Sequence, residues 1–541
     1  MTEVRGKGLL GFGEVTSTVN FERDIALSPL GRNISANLLS NVWSTALQLL
    51  LTPLYVWFLG VESFGLIGFY LSWIAILGIL DTGISATAVR EIAWLAARSE
   101  EKWKIPALLR SLEVVYWGIV LILGVGILAG AWFFGAGWFQ TKDLPPELVR
   151  DALMLMAVSL VVQVPSGLYI GGLMGLQRQV ECSGLLALFG TVRGLGAVVV
   201  LWTIGPDIRV FFLWQIVAGV LQTGVMRWLL WRRVRIERFP GRFSVGMLQS
   251  VKGFAGGVIL ITALSIVITQ MDKMILSRVV SLEALGFYML AWTVASGLSR
   301  VATPLIQAFG QHFTELVSKG DDEALAKQVR LASQLMSVLI LPPAALIAFL
   351  SKPILLAWMG NPAVAAGASP ILAVLVVGTA LSACSYPAVS ILYSRKQLGP
   401  VIVVNLAALV VLLPLLIVAV VNFGVMGAAF CWGLYGLILY VAYQTFGLRG
   451  IPKAGLISSI LRDFVAPCVV SFAVAGMAGY LLNDVEVRMA LVALLGFGLL
   501  VGWFAALLVC KDLLKVLTGT LKWKTSASLG HSIDTKKTNK T

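Results

Sequence analysis

The chain is a succession of apolar stretches, each about twenty residues long, separated by short polar connections. A helix rises about 1.5 Å per residue, so about 20 apolar residues cross a hydrocarbon core of about 30 Å. Inside that core every backbone N–H and C=O must be satisfied without water, which leaves helices or closed barrels. A barrel would show alternating segments of about ten residues, a pattern this sequence lacks. The expected fold is an all-α polytopic membrane protein of about 14 transmembrane helices. The expected spans are 36–58, 64–86, 112–134, 152–173, 184–205, 210–231, 253–276, 283–305, 333–350, 369–391, 398–421, 424–446, 464–483 and 488–510. Pro342-Pro343 is expected to interrupt the ninth. Only 13% of the 541 residues are charged, too few for a soluble protein of this length.

The net charge is +14. Alternate connections divide it unevenly: about 30 Lys and Arg fall on the side of the N-terminus and about six on the other. Basic connections stay cytoplasmic, so both termini are expected there. Nucleic-acid binding would need a polar basic domain, and none is present. Cys182, Cys384, Cys431, Cys468 and Cys510 lie in or beside apolar segments without C-x-x-C spacing, which gives neither a disulfide framework nor a zinc site. His312 and His531 stand far apart. No metal or cofactor is expected. Residues 1–35 read as a polar cytoplasmic segment without a secretory core, and 511–541 as a basic cytoplasmic tail near an anionic leaflet.

Gly68-Phe69-Tyr70 recurs as Gly286-Phe287-Tyr288, 218 positions on. Two long connections, Arg90 to Ser111 and Gln307 to Leu331, occupy matching places after spans two and eight. Both are amphipathic with helical spacing and are expected to lie on the inner leaflet as interfacial helices. The chain thus divides into a six-helix bundle over 36–245, a parallel repeat over 246–447, and an additional helix pair over 448–510. The repeats should be related by an axis along the membrane normal.

Ionisable groups within spans are costly and mark function or pairing. Arg227 and Lys252 lie near inner ends and can snorkel; Lys273, near an outer end, can do the same. Arg193 has about ten apolar residues on either side, roughly 15 Å to each interface, beyond any snorkel. It must face a water-filled cavity, a buried anion or a carboxylate on another helix. Asp81 and Arg300 occupy nearly equivalent repeat positions; they either link the halves or are hydrated separately. Adjacent side chains diverge by about 100° on a helix, so Asp272 and Lys273 are expected not to pair. Asp272 is a candidate proton or cation site, or a partner for a substrate hydroxyl. Gln163, Gln215, Gln270 and Asn405 are further candidates to line a cavity. Pro53, Pro165, Pro342, Pro343, Pro387, Pro414 and Pro467 favour kinks.

The stretches NLLSNVWSTALQLLLTPLYVWFLGVESFGLIGFYLSWIAILGILDTGISATAVRE, LYIGGLMGLQRQVECSGLLALFGTVRGLGAV, ITQMDKMILSRVVSLEALGFYMLAW and NFGVMGAAFCWGLYGLI together resemble the Wzx-like polysaccharide flippases of the multidrug/oligosaccharidyl-lipid/polysaccharide exporter superfamily. The resemblance covers roughly 33–450. It implies two six-helix bundles around a cavity, no catalytic chemistry, and a substrate that is a polyprenyl-diphosphate-linked oligosaccharide destined for surface lipopolysaccharide or exopolysaccharide. It also implies a bacterial inner (cytoplasmic) membrane, lipid contacts, H⁺ or Na⁺ as a coupling ion, and polysaccharide polymerase machinery as a partner. In the related lipid II flippases two extra helices form a groove for the lipid tail, a role open to spans 13 and 14. Arg193 and Arg300 would face the diphosphate with Gln163 and Asn405 beside them, and Asp272, Asp81 and Lys273 would couple or gate. The rival within the superfamily is a cation-coupled multidrug antiporter, which often carries a buried acid in its first or seventh helix. A membrane-embedded polymerase or glycosyltransferase would need a large outer loop, and the outer connections here are short.

Overall fold

The structure, a computed structural model, describes residues 29–234, 243–450, 456–482, 488–510 and 512–516. Every regular element among them is helical. In chain order these are α1 (Pro29–Ala97), α2 (Ile105–Trp138), α3 (Pro146–Gln163), α4 (Ser166–Gly175), α5 (Gln179–Thr203), α6 (Ile208–Val234), α7 (Val245–Val279) and α8 (Leu282–Lys319). There follow α9 (Asp322–Phe349), α10 (Ser351–Met359), α11 (Pro362–Cys384), α12 (Tyr386–Ser394) and α13 (Leu398–Gly447). Last come α14 (Leu456–Ile460), a π-helical turn (Leu461–Val465), α15 (Ala466–Leu482) and α16 (Arg488–Val509). The expected terminal segments, 1–35 and 511–541, lie almost wholly outside the described residues.

Nine described segments are long and apolar enough to cross a membrane. Two of them hold a pair of crossings each. α1 is divided at Gly60 (φ 77°, ψ 170°) and α13 at Gly424 (φ 57°, ψ −136°), positive-φ conformations that a side chain would strain. α7, α8 and the shorter apolar stretch of α16 fall on three more of the expected spans. The prolines divide two crossings outright: Pro165 separates α3 from α4, and the α11–α12 break falls at Ser385, ahead of Pro387. Pro342-Pro343, expected to interrupt the ninth span, sits inside an unbroken α9.

The two long amphipathic connections are not separate interfacial helices. α1 runs on to Ala97, and after a short 3-10 turn (Lys102–Lys104) α2 begins at Ile105. α8 runs on to Lys319 and stops at Gly320, whose φ of 69° makes a left-handed cap, while Asp321 accepts a bond from Ala324 N–H to start α9. Nothing between Gln307 and Lys319 breaks a helix, so the span simply extends past the membrane.

α1–α6 pack as one bundle and α7–α13 as the second, joined where α1 lies against both α7 and α8. α15 and α16 pair with each other against α9, where Phe349 meets Phe472 edge-on and Ala475 is buried beside Leu346 and Leu350. At the foot of that pair, Gln334 donates to Asp463 at 2.8 Å and accepts from Leu513 N–H, while Arg462 reaches Asp512. The outer girth carries bare apolar side chains such as Trp202, Phe133 and Val410, as a hydrocarbon-facing surface requires. One end of the molecule holds the basic connections and is called the basic end below. The other holds Gly60, Gly424 and the short loops, and is called the short-loop end.

Candidate functional site

The repeated Gly-Phe-Tyr motifs meet each other. α1 and α8 cross at their own glycines: a Cβ on Gly286 would lie 2.3 Å from the Val61 carbonyl oxygen, one on Gly65 2.6 Å from that of Leu282, and one on Gly68 2.3 Å from Met289 Cγ. Small residues let membrane helices approach this closely. Each motif tyrosine then binds a polar group of its own half. The Tyr70 hydroxyl accepts from Gln163 at 3.1 Å and lies 2.9 Å from Ser159 Oγ; the Tyr288 hydroxyl donates to Asp272 at 2.5 Å.

Above this crossing the halves are latched at the short-loop end. Arg278 donates to the carbonyls of Gly137 and Trp138 at 2.8 and 3.1 Å, and Trp138 Nε1 donates to Ser277 at 3.1 Å. Gln140 and Ser281 pair as a one-residue bridge, with Leu282 N–H donating to Gln140 O at 2.8 Å. Lys142 reaches Glu283 at 2.7 Å, and that bond and charge hold the Lys142 ammonium above its usual range. Glu62 accepts from three successive backbone N–H groups, Lys142 to Leu144, and fixes the loop that carries the latch.

Below the crossing lies a cavity of about 450 Å³ between the bundles, within the usual size range of ligand sites. Three cations line it: Arg193 from α5, Lys273 from α7 and Arg300 from α8. No carboxylate is among the described lining residues. Gln48, Gln215 and Gln270 supply amides, and Tyr55, Tyr70 and Trp292 supply aromatic faces. Arg193 donates through Nη2 to Gln222 at 2.5 Å, while Tyr55 and Trp214 bond the Gly194 and Arg193 carbonyls and hold that turn of α5 in place. Arg193 Nε and Gln215 Oε1 are buried without a hydrogen-bond partner among the described residues. Arg300 donates to Gln48 at 2.6 Å, a bond between the halves on the basic side of the crossing.

Lys273 and Asp272 do pair, against expectation. Lys273 Nζ sits 2.9 and 3.1 Å from the two carboxylate oxygens, donates to Thr269 O at 2.8 Å, and lies 3.7 Å over the Trp292 ring. The 100° divergence governs the Cβ directions, whereas a four-carbon stem can curl back across it. Two separate buried charges would cost several kcal/mol each, so the stem folds. Lys273 therefore does not snorkel: its side chain is 1% exposed. Asp272 stands behind it, away from the cavity wall.

The other expected residues divide. Gln163 is buried one layer behind Tyr70. Asn405 is buried in the second bundle between the limbs of α13, donating to Tyr443 at 2.8 Å and accepting from Tyr435 at 3.4 Å, and is not among the cavity-lining residues. The Asp81 and Lys252 side chains lie outside the described residues. Arg227, expected only to snorkel, bonds Glu113 at 2.5 Å, and Glu113 also accepts from Tyr169 and Arg110. Sequence reading passed over Glu113 and Asp463, both buried acids near the ends of spans. Their signal was available: each follows or adjoins an arginine at the start of an apolar run.

These features define the class, a polytopic helical membrane protein of two bundles about a central cationic cavity. The fold is shared with the lipid II flippase MurJ in an inward closed conformation (TM-score 0.65, 14% identity, 90% of this chain and 98% of that one). It is shared too with a multidrug resistance MATE family transporter in its inward-facing conformation (TM-score 0.60, 14% identity, 82% and 96%). By sequence the chain belongs to the polysaccharide biosynthesis protein family, whose model matches residues 30–309, a little over half of it. The uncharacterised membrane protein EpsK of Bacillus subtilis (strain 168) is 24% identical over 342 residues, 61% of this chain and 65% of that protein, so the match stops short of two thirds of the relative's length. A Shigella flexneri protein, named as a candidate O-antigen transporter, is 22% identical over 391 residues, 70% of this chain and 87% of that one.

Proposed function

We propose that the protein is a flippase that moves a polyprenyl-diphosphate-linked oligosaccharide from the cytoplasmic to the opposite leaflet for cell-surface polysaccharide assembly. The observation that carries this reading is the cavity wall: among the described residues, Arg193 and Arg300 have no ion pair, Lys273 is already paired with Asp272, no lining residue is a carboxylate, and Arg193 Nε has no partner. Charge-assisted hydrogen bonds from such groups suit a diphosphate. A cavity built for cationic drugs would present an acid, and here Asp272 is set behind Lys273 and bonded to it. Family membership supports the polysaccharide branch of the reading.

The basic end is cytoplasmic by the positive-inside bias, which places the latched short-loop end outside. The substrate's head group enters from the cytoplasm while its prenyl chain stays in lipid. The halves 36–245 and 246–447 then rock about the glycine crossing, breaking the latch and closing the basic side. Moving negative charge outward across an inside-negative potential is favourable by about 2.3 kcal/mol per charge per 100 mV, so the potential can drive a dianionic head group without chemistry. The test is depletion of the protein followed by lipid extraction and leaflet-specific labelling. Lipid-linked oligosaccharide accumulating on the cytoplasmic leaflet is the expected result. Normal surface glycan with no accumulation would end the proposal.

A further inference from the structure

A second pocket, of about 670 Å³, opens beyond the central cavity at the basic end, between the extended foot of α8 and α12. None of its described lining residues is charged. That is unusual for this part of the chain, where the connections carry most of the protein's lysines and arginines. What it offers instead is Gln307 and Gln311, the rings of Tyr386 and Tyr393, and the hydroxyls of Thr303 and Ser390.

The pocket is continuous in register with the cavity. Arg300, Thr303, Gln307, Gln311 and Thr314 follow one another at three- and four-residue steps, so they share one face of α8. The same face carries Thr293 and Ser296, which line the central cavity. From Arg300 to Thr314 this stripe descends about 21 Å at about 1.5 Å per residue. Its wall is built rather than incidental. Thr314 and Ser394 lie 3.1 Å apart across the two helices, Ser394 donates to the Gly310 carbonyl at 3.3 Å, and a Cβ on Gly310 would fall 3.1 Å from Ser390 Oγ. Those hydroxyls are spent on holding α8 to α12. The amides of Gln307 and Gln311, by contrast, are exposed and make no hydrogen bond to the described residues. Each amide offers both donors and an acceptor, and the tyrosines offer flat amphipathic faces.

Resting on the flippase reading above, the geometry points to this pocket as the subsite for the glycan of the lipid-linked substrate, taking uncharged, hydroxyl-rich sugar rings while Arg300, one turn away, faces the diphosphate. Hydroxyls that both donate and accept match carboxamides, and an uncharged wall neither attracts nor needs an acidic sugar.

The test uses purified full-length protein in lipid nanodiscs and two probes: undecaprenyl diphosphate, and the lipid-linked oligosaccharide extracted from cells depleted of this protein. Wild type should prefer the glycosylated probe by about tenfold or more, about 1.4 kcal/mol. Gln307→Ala/Gln311→Ala, which alters only exposed side chains and so spares folding, should bring the two dissociation constants within about twofold of each other. A second variant, Tyr393→Ala, should erode the preference as well. Equal binding of both probes by wild type, or an undiminished preference in the double variant, overturns the subsite. Failure of Arg193→Ala to weaken either probe would instead count against the flippase reading itself, so the two failures are separable.

Discussion

Gly286 stands against Val61 so closely that a Cβ built on it would lie 2.3 Å from the Val61 carbonyl oxygen. The contact joins the second repeat to the first at the motif they share, and it brings backbone against backbone, which cannot yield as a side chain would. Gly286→Val must push the halves apart, an overpacking that costs about 1–3 kcal/mol. A Cβ on Gly297 of the same helix meets nothing within 4 Å among the described residues, so Gly297→Val is the control. The first should lower the thermal midpoint in detergent and abolish surface glycan, the second should do neither, and equal behaviour of the two would mean that the crossing does not close the molecule.

Arg227 and Glu113 form the second pair with a measurable consequence. Glu113 is 4% exposed while Arg227 is 48% exposed, so the burden of the pair falls on the acid. Arg227→Ala takes the guanidinium from a buried carboxylate that keeps only Tyr169 and Arg110, and should cost about 1–3 kcal/mol. Arg227→Ala/Glu113→Gln should recover most of that loss. Denaturation midpoints of the two variants decide it; a double variant no better than the single would show that the pair is not the cause.

Much of this architecture was legible in the sequence, because the length of an apolar run and the sign of its flanking loops are local properties. The long apolar helices follow from run length, and Arg193 and Arg300 stand out as charges within such runs and do line the cavity. What was not legible was partner choice. Whether Lys273 reaches water or folds onto Asp272 depends on Trp292 and Tyr288, which arrive from another helix. Asn405 is apolar-run polar like Gln215, yet one is consumed by Tyr443 and the other lines the cavity; no spacing rule distinguishes them. The extension of α8 past the membrane was read as a separate surface helix because amphipathicity reports a face, not a bend.

The Asp272–Lys273 pair predicts an asymmetry between single and double variants. Lys273→Met leaves Asp272 buried with only the Tyr288 hydroxyl, and breaking a buried pair from one side costs about 3–5 kcal/mol. Lys273→Met/Asp272→Asn removes both charges and should restore the yield of folded protein. If Lys273 serves anion binding from the cavity wall, the double variant should fold yet fail to restore surface glycan. Full export by a well-folded double variant would reduce the pair to a structural one.

The latch gives the most direct check on which end opens. Gln140 and Ser281 pair across the halves as a β-bridge, and paired backbones lie about 4.7–4.9 Å apart, inside the Cα separation of about 4.4–6.8 Å that a disulfide spans. The native cysteines offer little interference: Cys182, Cys384, Cys431 and Cys510 are buried, Cys468 is half-buried, and all are unpaired. Gln140→Cys/Ser281→Cys should therefore cross-link on mild oxidation in the membrane, seen as altered mobility after proteolysis of the connection between the bundles. Opening toward the short-loop end requires Gln140 and Ser281 to separate, so the cross-linked protein should stop exporting glycan and a reductant should restore it. Each single cysteine variant should export under both conditions. Export that continues while the cross-link is complete would mean that the halves do not part at this end, and the rocking motion assigned to the glycine crossing would have to be abandoned.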